Sequence, residues 1–87
     1  MSTQIETAIK TPDINLAAAL MTATGNRPKA QPGVTLVEFI SEYSEVASLV
    51  LFEYESGSLH QNVKEFAANR SWLSRLVQEV VKAGAAR

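Results

Sequence analysis

The sequence predicts a small α+β domain of about three helices and one or two β-strands, closed by a long amphipathic C-terminal helix. Three observations carry this. Three segments show apolar residues at helical spacing behind capping residues, one short run is rich in β-branched and aromatic residues, and turn residues separate them. With 46% apolar and 20% charged residues among 87, the chain has the balance of a globular domain rather than of a disordered or fibrous one. The expected organisation is a flexible or edge-strand segment over residues 1–10 and a single domain over 11–87.

Taken in order, residues 1–10 are polar apart from Met1, Ile5, Ala8 and Ile9 and carry little weight. Thr11 and Pro12 predict a helix start, the threonine as cap and the proline at the first helical position. Ile14, Ala17, Leu20 and Met21 recur at helical spacing, and Gly25 supplies a left-handed stop. Residues 25–33 hold two glycines and two prolines among polar residues, which reads as an exposed turn with no element of its own. Residues 34–41 predict a strand, apolar on both faces, from Val34, Thr35, Val37, Phe39 and Ile40. Such a strand suits a position covered on both sides, or packing on helices with a twofold mate behind.

Residues 44–55 fit two templates. Val46, Leu49, Val50 and Tyr54 follow helical spacing, whereas Val50, Phe52 and Tyr54 would line one face of a strand. Helix is favoured because Ser44 can cap it, Glu45 sits at its positive end and Gly57 stops it. Asn62 then opens the strongest element, with Glu65 placed to complete a capping box. Its apolar stripe runs through Val63, Phe66, Leu73, Val77 and Val80, flanked by Trp72, Leu76 and Val81, and Gly84 marks its end. Ser71 could instead cap a second helix after a break near Asn69 and Arg70. The apolar side of this C-terminal segment is expected to organise the interior.

At this length folding buries only roughly 60 to 65% of the unfolded chain's surface, so self-association, as a homodimer, is a natural source of added stability. The chain has no cysteine, which removes disulfides and thiolate metal sites and suits a reducing cytoplasm. No run of apolar residues reaches membrane-spanning length, and residues 1–10 lack a signal-peptide pattern, so the expectation is a cytoplasmic protein without membrane contact.

Net charge is only −1, yet the charges are segregated. Between residues 30 and 63 every formal charge is acidic, namely Glu38, Glu42, Glu45, Glu53 and Glu55; residues 64–87 carry five cations against Glu65 and Glu79. One reading lays the basic helix against the acidic middle; the other leaves a basic face exposed.

Nothing in the chain spells out a catalytic centre. His60 is the single histidine and lies close in sequence to Ser56 and Ser58, but chain proximity is not the geometry that a nucleophile and its base require, and it reads as an exposed turn residue. Glu53 and Glu55 before Gly57 lack the further ligands of a calcium loop, and Glu38, Glu42 and Glu45 have no spacing that pairs them. Arg27 and Lys29 could touch a phosphate, although their glycine follows a helix rather than a strand. No metal, no cofactor and no enzymatic activity are expected.

Two binding surfaces remain. On the last helix Lys64, Ala68, Ser71, Arg75, Gln78 and Lys82 share one face, a stripe that could follow a phosphate backbone, with Glu65 and Glu79 beside it. Trp72 lies at the margin of the apolar stripe between Arg70 and Arg75; tryptophan and arginine dominate binding hot spots.

The order of features resembles a family of short prokaryotic and phage proteins that is known only as a domain of unknown function. The residues that carry the likeness are 13–20 (Asp-Ile-Asn-Leu-Ala-Ala-Ala-Leu), then Val37-Glu38-Phe39, then Tyr54 with Gly57 and Leu59, and finally Val63, Phe66-Ala67, Arg70 and Leu73. The resemblance implies a small α+β domain with a strand between helices and no activity to transfer. It also implies a setting in phages and mobile elements, whose small proteins often bind a host component.

The function expected from the sequence is therefore binding, through a protein partner or a second copy, with Val37, Phe39, Trp72 and Arg75 as contact residues. The alternative is nucleic-acid binding through Lys64, Arg70, Arg75 and Lys82 with Arg27 and Lys29.

Overall fold

The computed structural model describes residues 8–33 and 36–85. Their elements run β1 (Ala8–Thr11), α1 (Ile14–Thr24), β2 (Lys29–Pro32), β3 (Val37–Glu42), α2 (Glu45–Ser56) and α3 (Val63–Ala85). The α+β class and the three helices agree with the sequence; the strands number three rather than one or two. They form one antiparallel sheet of order β1-β3-β2.

The interior is organised by α1, not by the C-terminal helix. Residues 16–21 are buried without interruption, and Ala17, Ala18 and Ala19 are completely so. Leu16, Ala19 and Leu20 form one face of α1 and meet Ala47 and Val50 of α2. Roughly half a turn away, Ala17, Ala18 and Met21 meet Phe39 of the sheet and Leu73 of α3. Small side chains let neighbouring elements approach α1 closely on both sides. A helix with apolar residues nearly all round shows little amphipathic contrast, and for the same physical reason it belongs at the centre.

The start of α1 differs from the expectation. Asp13, not Thr11, is the N-cap; its Oδ1 accepts from the amides of Asn15 at 2.9 Å and Leu16 at 3.3 Å. Thr11 is held in β1 by its pairing with Phe39 of β3, so Pro12 precedes the cap instead of following it. The Thr11 hydroxyl accepts from the Asp13 amide at 3.0 Å instead. Gly25 ends the helix at φ 76, as its sequence position implies.

Residues 25–33 are the second correction, because Lys29–Pro32 pairs with β3. Strand propensity gives no sign of it. β2 exists through its partner: the Gly33 amide donates to the Leu36 carbonyl at 2.8 Å and turns the chain back, and Pro32 is tolerated at a sheet edge. A Cβ on Gly33 would overlap that same Leu36 carbonyl oxygen. Pro28 is buried, so the segment is not wholly exposed.

The strand read at residues 34–41 is Val37–Glu42; Val34 and Thr35 lie outside the described residues. Register places Thr11, Phe39 and Ala30 in one row and Lys10, Ile40 and Lys29 in the next. Because side chains alternate, Phe39 points into the interior while Ile40 takes the outer face between two lysines. Lysine stems can cover apolar surface while their charges stay in water.

The ambiguous segment is helical: Ser44 Oγ accepts from the Ala47 amide at 3.1 Å, and Gly57 closes α2 at φ 78. Asn62 Oδ1 accepts from the Glu65 amide at 2.9 Å and starts α3, which continues unbroken past Ser71 and through Gly84. Neither the break at Ser71 nor the stop at Gly84 is found. Along α3 Leu73 is completely buried, Phe66, Leu76, Val77 and Val80 are half-buried, and Val63 and Val81 at either end are exposed.

Four side-chain hydrogen bonds tie α1 and its cap to the rest of the chain. The Tyr54 hydroxyl donates to Asp13 Oδ2 at 2.6 Å, and Gln61 Nε2 donates to the Ala19 carbonyl at 2.8 Å. Asn69 Nδ2 donates to Thr22 Oγ1 at 3.0 Å and Arg70 Nε donates to Asn15 Oδ1 at 2.6 Å.

Candidate interaction surface

The outer face of α2 carries an apolar stripe. Val46, Leu49 and Phe52 recur every three residues and are 50%, 56% and 68% exposed, with Tyr43 at 44% just before the helix. At 100° per residue Leu49 and Phe52 point away from Ala47 and Val50, which α1 covers, and Val46 stands at the margin of the covered side. The cause is compositional: α2 has apolar residues on both sides, and among the described residues only one side has a partner.

Its electrostatics are one-sided. From residue 41 to residue 62 the formal charges are Glu42, Glu45, Glu53 and Glu55, with no lysine or arginine. Glu42, Glu45 and Glu55 are exposed and Glu53 is half-buried, so carboxylates border the stripe in water.

The contact residues expected from the sequence do not assemble into one surface. Phe39 is 1% exposed and belongs to the interior, where a partner cannot reach it. Val37 is half-buried on the same face of β3. Trp72 is half-buried, and the Arg27 guanidinium carbon lies 4.6 Å from its ring centroid, a cation–π contact that holds this arginine against α3. Arg75 is exposed nearby.

The six cations of the alternative reading are also dispersed. Lys29 lies on the outer face of the sheet, Arg27 on Trp72, and Arg70 is bonded to Asn15. Lys64, Arg75 and Lys82 are exposed along α3, interleaved with exposed Glu65 and Glu79. Because α1 stands between α2 and α3, the acidic element and the basic helix occupy different flanks of the molecule.

The hollows add little chemistry. A cleft of about 490 Å³ opens beside Arg27, Lys29 and Glu42. Another of about 330 Å³ is walled by Tyr54, Leu59, Val63 and Phe66. A third, about 210 Å³, lies between Leu36 and Val81. The Tyr54 hydroxyl is held by Asp13, and that hydrogen bond, then burial, then the carboxylate's charge push its pKa from 10.0 up to about 12. A phenol held in its protonated form is a hydrogen-bond donor here, not a base. His60 is exposed, and among the described residues no three His, Cys, Asp or Glu side chains group to hold a metal ion. Nor, among those residues, is any helix long and apolar enough to cross a membrane.

No family model, curated protein or solved structure matches the chain. The likeness noted in the sequence thus rests on the quoted residues alone. The α2 stripe went unread in the sequence although a signal was present: Val46, Leu49 and Phe52 exceed what a helix buried on one side needs.

Proposed function

We propose that the chain is a non-enzymatic interaction module that binds a protein through the outer face of α2. The observation that supports it is the exposure of Val46, Leu49 and Phe52 along one helix face. Contiguous exposed apolar surface of this kind is characteristic of recognition sites, whereas isolated exposed apolar residues are ordinary. A phage-like setting, in which the partner is a host component, fits a small binder without catalytic groups. Photo-crosslinking in the source cells tests this: a benzophenone side chain at position 49 is expected to yield a discrete protein adduct, and one at Gln78 on α3 is not. Adducts from position 78 alone would overturn the reading.

Exposure of Lys64, Arg75 and Lys82 on one helix favours the second reading, nucleic-acid binding. Three phosphate contacts would give a slope of about −2.7 in log affinity against log salt. Absence of any such slope with duplex or single-stranded DNA and RNA removes this alternative.

A further inference from the structure

Resting on that reading of α2, we infer that the partner presents a cationic amphipathic helix. The first argument is from the backbone. The amides and carbonyls along α2 are engaged within the helix, so this face offers side chains only. A strand laid on it would bury its own amides and carbonyls without partners. A helix brings its backbone already satisfied, and the three exposed side chains, spread over about 10 Å of the axis, match about two turns packed side by side.

The second argument is charge. Glu42, Glu45, Glu53 and Glu55 border the stripe, and no lysine or arginine lies between residues 41 and 62. A second copy docked face to face would set carboxylates against carboxylates. A helix with leucine-like residues on one side and lysine or arginine along its flanks meets both the apolar centre and the acidic rim, and its charge accelerates encounter.

The experiment titrates the isotopically labelled chain with three synthetic 14-residue peptides and follows amide shifts. One carries leucines on a single helical face with lysines elsewhere, the second replaces the lysines with glutamates, and the third scrambles the first. The lysine peptide is expected to shift Val46, Leu49 and Phe52, to weaken about tenfold between 50 and 300 mM salt, and to weaken severalfold against the E45Q/E53Q/E55Q variant. The other two peptides are expected to leave α2 unshifted. Equal binding of the glutamate or scrambled peptide, or indifference to the glutamine variant, overturns the inference while leaving α2 as a docking face. Concentration-dependent α2 shifts without peptide would make a second copy the occupant and also overturn it. If the lysine peptide shifts only residues outside α2, the docking reading itself falls.

Discussion

Tyr54 and Asp13 meet at the corner where β1 hands over to α1, and Asp13 serves both as helix cap and as acceptor for the phenol. The native state holds the Tyr54 proton more tightly than the unfolded chain does, since its pKa is raised from 10.0 to about 12. The stabilisation from this contact is therefore fully present below pH 10 and is lost as pH rises from 10 towards 12. Absorbance titration of the phenols should show a step near 12 that Asp13→Asn moves down. Tyr54→Phe should abolish that step and cost about 1 kcal/mol at neutral pH, the ordinary worth of such a bond.

Among the elements, the two glycines near helix ends make opposite demands. Gly57 sits at φ 78, so Gly57→Ala forces a Cβ into left-handed backbone and should lower unfolding stability by about 1 kcal/mol. Gly84 lies inside α3 with no neighbouring element within 4 Å of an added Cβ, so Gly84→Ala should raise stability by about 0.5 kcal/mol; urea unfolding of both variants checks the signs. The contrast shows what the sequence could reveal. Ser44, Gly57, Gly25 and Asn62 act locally, through hydrogen bonds and backbone angles within four residues, and their positions were legible. β2 was not, because Lys29–Pro32 becomes a strand only by pairing with β3. The start of α1 was misplaced for a related reason: Asp13 and Thr11 both satisfy the cap rule, and the pairing of Thr11 with Phe39 of β3 decides between them. Phe39 reads as a contact residue because apolar character in Phe39 and in Phe52 looks alike in sequence, whereas only the packing of the elements separates a residue 1% exposed from one 68% exposed.

For the molecule as a whole, α1 divides an acidic flank carrying α2 from a basic flank carrying α3, so a net charge of −1 conceals two surfaces of opposite sign. A central helix that meets its neighbours through three completely buried alanines has a further consequence. Methyl groups alone make a smooth bearing, so the axial setting of α1 falls to the larger Leu16, Leu20 and Met21 side chains and to its hydrogen bonds. The bonds from Tyr54, Gln61, Asn69 and Arg70 act as detents that fix its axial setting. A variant combining Tyr54→Phe, Gln61→Ala, Asn69→Ala and Arg70→Ala should keep its far-ultraviolet helical signal while the near-ultraviolet band of Trp72 fades. An undiminished band would mean that apolar packing alone locks the bearing.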